Sequence, residues 1–240
     1  MSRSLRGRAA GVVGVVGEVL VTLGALVLLF VVWQVWWTDV ESDRAHAATV
    51  TSLEREFAQA SRDVGGAGDP GDADSTVRIE GDVFAVVRIP RFGADYARPL
   101  VEGTSAKELA RGLGHYVGTA APGQVGNVAI AGHRTTYGKP LADIDRLRAG
   151  DEVVVETAAG ESTYAVTSHE IVRPWESDVI APVPGDPGAT PTKSMLTLTS
   201  CHPRFSAKQR WIVHAELVRT RTRAQLSLVD DLPAPRVETS

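Results

Sequence analysis

The stretch L-T-L-T-S-C-H-P-R-F-S-A-K-Q-R-W-I-V-H-A-E-L, residues 196–217, decides the fold because it contains two alternating runs separated by a short loop. In the first run, Thr197, Thr199 and Cys201 alternate with Leu196 and Leu198. A period of two is typical of a half-buried β-strand, in which successive side chains point to opposite faces. The run therefore predicts a strand that ends at the only cysteine of the chain.

The second run predicts another strand, which begins at Arg210. Its apolar face would carry Trp211, Val213, Ala215 and Leu217, and its opposite face would carry Arg210, Ile212 and His214. Two strands joined by a loop would place the thiol of Cys201 and the guanidinium of Arg210 at neighbouring strand ends. Such an arrangement favours a nucleophilic site that still needs a base.

A candidate for that base follows a third apolar run, in N-V-A-I-A-G-H-R-T-T-Y-G at residues 127–138. Gly132 closes the run, and His133 comes directly after it, where the strand gives way to a loop. A free thiol is only a few per cent thiolate at neutral pH, so a nucleophilic cysteine needs an imidazole or a guanidinium nearby. We therefore predict His133 as the base.

Three motifs together resemble those of the sortases, the cell-wall transpeptidases of Gram-positive bacteria. They are G-H-R-T around His133, T-L-T-S-C ending at Cys201, and R-W-I-V-H-A-E-L beginning at Arg210. The similar region covers about residues 83–219, although Ser200 replaces the second threonine of T-L-x-T-C and keeps a small hydroxyl there. The resemblance implies a closed eight-stranded β-barrel, with His133, Cys201 and Arg210 as the catalytic residues.

The fold class predicted from the residues is mostly β, with a closed or nearly closed barrel that leaves no exposed sheet edge. Strands are predicted at 83–89, 98–101, 127–131, 152–156, 162–172, 193–201 and 210–218. Short helices are predicted at 105–112 and 139–147, the first with Ser105 as its N-terminal cap. The catalytic domain is predicted to span residues 77–219.

An N-terminal transmembrane anchor is predicted at residues 19–37, which are almost all apolar and long enough to cross a bilayer. Residues 1–18 carry three early arginines, and positive charge before a span predicts a cytoplasmic N-terminus with the domain outside the cell. The alternative is a signal peptide cleaved after Ala45-His46-Ala47. The apolar span is long for that, and the cleavage pattern is distant from it, so the anchor is favoured.

Residues 38–76 are predicted to form an extracellular stalk and a flexible linker. Residues 53–64 have helical spacing of apolar side chains, whereas residues 65–75 are rich in glycine and aspartate and have no capacity to pack. Residues 220–240 are predicted to be a disordered polar tail.

Composition excludes several classes of function. A net charge of -4 argues against nucleic acid as a partner, because phosphate binding needs clustered lysine and arginine. One cysteine excludes an intramolecular disulfide, and the sequence has no zinc-ligand spacing, which argues against a zinc site. Glu170, Glu176 and Asp178 are the nearest candidates for calcium ligands, but scattered surface acids explain them as well, so no metal or cofactor is predicted. Arg204 is an alternative to Arg210, but its position inside the connecting loop is less suited to fixed hydrogen-bond donation.

The candidate substrate-binding residues lie on two segments. The segment at residues 171–193 contains five prolines, so it predicts a shaped loop before the cysteine strand. The resemblance implies that this loop encloses part of the substrate, with Val179, Ile180 and Ala181 as an apolar wall or, alternatively, as packing against the barrel. Thr199 and Ser200 lie beside the thiol in the sequence and complete the predicted set with Tyr116.

Residues 114–138 are most similar to class E sortases of actinobacteria, in which the residue matching Tyr116 helps to select L-A-x-T-G over L-P-x-T-G signals. The alternative for Tyr116 is an aromatic filler of the barrel. The predicted function is a membrane-anchored cysteine transpeptidase that cleaves a C-terminal sorting signal between Thr and Gly. It would transfer the protein to the amine of a peptidoglycan precursor resembling lipid II.

Two other functions are weighed against this one. A pilin-polymerising sortase would carry an Asp-Pro-aromatic lid, whereas the Asp-Pro before the barrel is followed by Gly71. An inactive tethered binding domain would be expected to lose at least one of the three motifs, and all three are present.

Overall fold

The computed structural model describes residues 2–63 and 79–230, in two compact units, Met1–Glu41 and Ser42–Ser240. Helix α1 (Ser2–Asp63) contains the one candidate membrane span among the described residues, Gly17–Ala60. The apolar side chains from Val19 to Val32 in it are exposed. The predicted linker at 65–75 and the end of the predicted tail at 231–240 lie outside the described residues.

The second unit contains a closed barrel with the strand order β1-β2-β3-β4-β7-β8-β6-β5. The barrel confirms the predicted fold class, and its closure leaves no unpaired edge. The strands are β1 (Val83–Arg88), β2 (Ala97–Glu102), β3 (Leu113–His115), β4 (Gly126–Ala131), β5 (Glu152–Thr157), β6 (Gly160–Val172), β7 (Ser194–His202) and β8 (Gln209–Thr222). Two short helices, α2 (Ala106–Leu109) and α3 (Arg223–Asp230), and three 3₁₀ turns, Pro90–Phe92, Ile144–Arg146 and Asp178–Ile180, complete the unit.

The alternation in β7 and β8 sorts their side chains between two faces, as predicted. Leu196 and Leu198 pack inside the barrel with Val213 and Ala215. Since neighbouring residues of a strand point to opposite faces, Cys201 and the threonines of β7 lie on the outer face. The apolar core of the barrel therefore packs against the inner face of the strand whose outer face carries Cys201.

The last turns of α1, within the segment 38–76 that was predicted as a stalk and flexible linker, pack on the barrel. Val50, Leu53 and Phe57 form a buried cluster with Val86 of β1. Their spacing of three and four residues places them on one helical face, and the outer surface of β1 supplies an apolar partner for that face. His46, one turn earlier, is only 1% exposed, and burial lowers the pKa of its imidazole.

Replacing Phe57 by alanine should destabilise the barrel unit by about 3–5 kcal/mol, because the change leaves a cavity at a buried aromatic position. Phe57 is 2% exposed, and the guanidinium of Arg223 lies 5.0 Å from its ring centroid. Urea unfolding of the chain in detergent, followed by the fluorescence of the barrel tryptophans, measures the loss. Gln59→Ala on the exposed side of the same helix is the control. An unchanged midpoint for Phe57→Ala would show that the helix does not stabilise the barrel.

Three further segments differ from the predictions. β3 was not predicted, because three residues are too few to show a period. The predicted helix at 139–147 is only the 3₁₀ turn Ile144–Arg146, since Lys139 has a left-handed φ of 47°. Residues 220–230 are ordered in β8 and α3, where Arg221 pairs with Glu161 at 2.7 Å and Arg223 pairs with Glu156 at 2.9 Å.

Candidate active site

Antiparallel pairing of β7 and β8 brings Cys201 and Arg210 side by side. The register pairs Cys201 with Arg210, and the next pair inward joins Ser200 to Trp211. Directly paired residues project from the same face of the sheet, so the thiol and the guanidinium share the outer face. Both residues are half-buried.

Parallel pairing of β4 and β7 brings His133 to the same place. The last pair joins Ala131 to Thr199, and the amide of Gly132 donates a 3.0 Å hydrogen bond to the carbonyl of Thr199. Ser200 Oγ donates a 2.8 Å hydrogen bond to the carbonyl of Gly132. His133 is two residues past Ala131, as Cys201 is two residues past Thr199, so both follow the last pair at the same end of the parallel strands. The buried Ser200 hydroxyl therefore joins the two strands and faces away from the outer surface.

The imidazole of His133 lies in a half-buried position beneath Tyr137. The ring centroids are 5.1 Å apart, and burial lowers the pKa of His133 below its ordinary value of 6.5. Its Nε2 atom is buried and has no hydrogen-bond partner among the residues that the structure describes. A group held neutral at pH 7, with an uncommitted nitrogen, can accept a proton.

The backbone after His133 turns sharply through three left-handed residues: φ is 52° at Tyr137, 70° at Gly138 and 47° at Lys139. Such angles are costly for residues other than glycine, so surrounding contacts must impose them. A Cβ at Gly138 would lie 2.9 Å from Asp43 Oδ1 and 3.2 Å from the His46 ring. This turn places Tyr137 over the imidazole, and the sequence analysis missed that role because no periodic pattern marks it.

Replacing Tyr137 by alanine should raise the pKa of His133 toward 6.5. Burial penalises the charged imidazolium and lowers the pKa, so exposing the ring to water reverses the shift. An NMR titration of the His133 Cε1 proton checks this, with a wild-type midpoint below 6.5 and a higher midpoint in the variant. Val117→Ala, at an exposed apolar position, is the control. Equal midpoints in wild type and Tyr137→Ala would show that Tyr137 does not shield the ring.

Arg204 and Arg210, the two candidate hydrogen-bond donors to the oxyanion that forms when a thiolate attacks a carbonyl, have different surroundings. Arg210 Nη1 donates hydrogen bonds to the carbonyls of Ala207, at 3.0 Å, and Gln209, at 3.1 Å, which hold it at the start of β8. Arg204 Nη2 donates to the carbonyl of Ala142 at 2.7 Å and lies 3.3 Å from Asp143. Arg204 is thus directed at the segment around the 3₁₀ turn, whereas Arg210 is paired with Cys201.

Of the predicted substrate-binding residues, Thr199 lies on the outer face of β7, Tyr116 directly follows β3, and Val179, Ile180 and Ala181 lie in the β6–β7 loop, residues 173–193. Ser200 is buried on the opposite face of β7, away from Cys201. Tyr116 Oη and Thr199 Oγ1 are 3.1 Å apart, and Thr199 is on the same face as Cys201. In the loop, Val179 packs with Val172 and Ile212. Val179 and Ala181 are buried, and Ile180 between them is half-buried.

The sequence analysis did not single out Asn127, whose side chain fastens this loop to the sheet. Asn127 Nδ2 donates to the carbonyls of Val179, at 3.4 Å, and Ala181, at 3.0 Å. Thr197 Oγ1 lies 2.9 Å from Asn127 Oδ1 and 3.0 Å from His214 Nδ1. The loop is therefore attached to the face that carries Cys201, and His214 belongs to this attachment.

No group of three or more His, Cys, Asp or Glu side chains suited to a metal ion occurs within residues 2–63 and 79–230. His115 lies in the core, where its Nδ1 is 2.8 Å from the carboxylate of the buried Glu102. A buried histidine with such a partner serves the structure of β2 and β3.

Similarity to known proteins extends over most of the chain. Residues 87–218 match the sortase domain family. Sortase SrtE1 of Streptomyces coelicolor is 35% identical over 213 residues, an alignment that covers 85% of this chain and 57% of that protein. Sortase SrtE2 of the same organism is 34% identical over 225 residues, which cover 88% of this chain and 84% of that protein.

Among solved structures, sortase E from Streptomyces avermitilis superposes with a TM-score of 0.56 at 41% identity, covering 65% of this chain and 97% of that chain. Sortase E1 from Streptomyces coelicolor, solved with a tripeptide in the active site, gives a TM-score of 0.56 at 34% identity and covers 66% of this chain and 98% of that chain. The domain match covers more than half of the chain, and the fold superposes on solved sortases. The chain therefore belongs to the sortase family.

Proposed function

We propose that this chain is a membrane-anchored cysteine transpeptidase in which Cys201 is the nucleophile, His133 the acid and base, and Arg210 the oxyanion donor. The observation that supports these roles most directly is the pairing of strand ends. Cys201 and Arg210 are direct partners across β7 and β8, and His133 lies two residues past Ala131, whose partner Thr199 lies two residues before Cys201.

In the first half-reaction, the Cys201 thiolate attacks the carbonyl carbon of the threonine in the sorting signal. A C–S bond forms, and negative charge develops on the carbonyl oxygen, toward which Arg210 donates hydrogen bonds. The tetrahedral intermediate collapses with cleavage of the Thr–Gly C–N bond. His133, as imidazolium, gives its proton to the departing glycine amine, and a thioester remains on Cys201.

In the second half-reaction, an amine of a peptidoglycan precursor attacks the thioester carbonyl. Neutral His133 removes a proton from the attacking nitrogen, the C–S bond breaks, and the thiolate is restored. The lowered pKa of His133 favours this neutral form at pH 7. Its burial also limits access of water, whose attack would give slow hydrolysis in place of transfer.

The signal is proposed to bind along the outer face of β4 and β7 and to extend under the β6–β7 loop. Tyr116 and Thr199, whose hydroxyl oxygens are 3.1 Å apart, would contact the residue that differs between L-A-x-T-G and L-P-x-T-G. Among the loop residues, Ile180 is available to contact the peptide, whereas Val179 and Ala181 hold the loop in place. The similarity to sortase E of Streptomyces avermitilis supports a class E preference for L-A-x-T-G.

The proposed location is the cell membrane. Residues 19–37 would span it once, with residues 1–18 in the cytoplasm and the catalytic domain, residues 77–219, outside. The exposed apolar side chains from Val19 to Val32 support this proposal, because such a surface is unfavourable in water and favourable in lipid.

Intact-mass spectrometry of the full chain in detergent tests the proposed reaction. The chain is mixed with L-A-x-T-G or L-P-x-T-G peptide, and a glycine-based amine is added afterwards. A thioester adduct that disappears into amide product is the expected result, with faster formation from L-A-x-T-G. Chain alkylated beforehand at Cys201 is the control. No adduct with either peptide, from folded chain whose thiol still alkylates, would contradict the proposal.

A further inference from the structure

Arg134 directly follows His133 in the sequence, yet its side chain is among the most buried polar groups of the barrel, with only 3% exposure. One terminal nitrogen, Nη1, lies 3.3 Å from the carbonyl oxygen of Cys201 and 3.1 Å from His202 Nδ1. The other, Nη2, forms a 2.7 Å ion pair with Asp145. The guanidinium carbon is 5.7 Å from the ring centroid of Trp211.

Burying a cation is costly unless charge and hydrogen bonds compensate for the lost water. Here an acid, a carbonyl, an imidazole nitrogen and an aromatic face surround one planar guanidinium. Only a planar group with several donors in fixed directions can satisfy all four partners together, and the ammonium of lysine lacks this geometry. The surroundings of residue 134 therefore favour arginine over lysine.

Arg134 connects His133 to Cys201. Its backbone is joined by a peptide bond to His133, while its Nη1 atom is hydrogen-bonded to the carbonyl of Cys201. Movement of the loop after β4 would therefore strain a buried hydrogen bond to the backbone carbonyl of Cys201. Asp145, beside the 3₁₀ turn Ile144–Arg146, holds the other side of the guanidinium and restricts its movement.

We propose that Arg134 is a positioning residue for the proposed transpeptidation, one that sets the distance between the His133 imidazole and the Cys201 thiol. The inference rests on the proposed roles of those two residues and adds a third that contacts neither reacting atom. His133 must reach the nitrogen of the amine while Cys201 is bonded to the adjacent carbonyl carbon, so the rate depends steeply on how the two side chains are spaced, and a misplacement of about 1 Å can reduce it about 100-fold. The expected signature is a loss of kcat with little change in KM.

Arg134 also holds the ring of the histidine next to the nucleophile. A guanidinium has no acceptor, so in this contact Nδ1 of His202 accepts the hydrogen bond. The ring centroid of His202 lies 5.3 Å from that of Trp211, which the guanidinium also contacts.

The test compares kcat, KM and thermal unfolding for the full chain in detergent and for Arg134→Gln, Arg134→Lys and Asp145→Asn. Arg134→Gln should lower kcat about 100-fold with KM within about twofold, and Arg134→Lys should recover only part of that loss. Asp145→Asn keeps the buried guanidinium but removes the charge of its partner, so it should lower Tm and, at a temperature where the variant stays folded, should also lower kcat about tenfold. Arg146→Gln, which changes the exposed arginine beside Asp145, is the matched control and should retain wild-type kcat.

The outcomes separate this inference from the proposed function. If wild type forms the thioester but folded Arg134→Lys and Asp145→Asn both keep wild-type kcat, the positioning role is wrong while the proposed function stands. If wild type forms no thioester with either peptide, both are overturned. A parallel fall in kcat and Tm in every variant, restored by cooling, would indicate a purely structural role and would also overturn the inference.

Discussion

Replacing Cys201 with alanine should remove the thioester adduct completely and reduce transpeptidation by at least about 10⁴-fold. The remaining groups could still bind the signal and polarise its carbonyl, but neither the imidazole of His133 nor the guanidinium of Arg210 would replace the sulfur in the covalent step. Cys201 is half-buried at a strand end, so the loss of one sulfur atom should leave the barrel folded. Intact mass and chromatography of the amide product measure the two effects separately.

Cys201→Ser is the matched variant, because it preserves the shape and the hydrogen-bonding capacity of the side chain. It should lose activity nearly as fully, since a hydroxyl is far less acidic than a thiol and His133 is arranged to exchange protons with amines. Peptide should still bind both variants with an affinity close to that of wild type. Amide formation by Cys201→Ala at more than a few per cent of the wild-type rate would rule out a covalent mechanism through Cys201.

Replacing Arg210 with alanine should lower kcat by about 10²–10³-fold with a smaller change in KM. Negative charge appears on the carbonyl oxygen only as the C–S bond forms, so a donor directed at that oxygen acts mainly on the transition state. Arg210→Lys should restore part of the loss, because lysine keeps the charge but not the planar pair of donors. Single-turnover thioester formation is the appropriate measurement, since it reports the acylation step alone.

Arg204→Ala is the control that decides between the two candidate arginines. Its guanidinium binds the carbonyl of Ala142 and the carboxylate of Asp143, so its removal should change acylation by less than about fivefold. A larger loss in Arg204→Ala than in Arg210→Ala would exchange the roles assigned to them. Equal losses would indicate that both side chains act through the shape of the β7–β8 loop.

The elements that were predicted well are those with a local signal. The alternation of Leu196 and Leu198 with threonines, and of Val213 and Ala215 with polar residues, is visible within a few positions of the chain. Such a pattern follows from the two faces of a single strand and needs no knowledge of the partner. The same holds for the N-terminal cap of α2, where Ser105 Oγ accepts a hydrogen bond from the amide of Lys107 at 3.3 Å.

The elements that were missed depend on partners far away in the chain. Residues 50–57 carry apolar side chains on one face of a helix, but the sequence does not reveal that this face packs against β1. The burial of Arg134 has no local signal, because it depends on acceptors at Cys201, His202 and Asp145. Asn127 was read only as the start of a strand, since its loop partners Val179 and Ala181 are more than 50 residues away.

The sequence by itself determined the alternating faces of β7 and β8, the glycine-closed end of β4 and the apolar span near the N-terminus. These features are local, because side-chain direction and hydrophobic length follow from neighbouring residues. Only the tertiary structure decided that β4 lies parallel to β7, with Ala131 opposite Thr199, and that Arg134 reaches the carbonyl of Cys201. Pairing between distant strands is selected by the packing of the whole barrel, and the separation between His133 and Cys201 follows from that pairing.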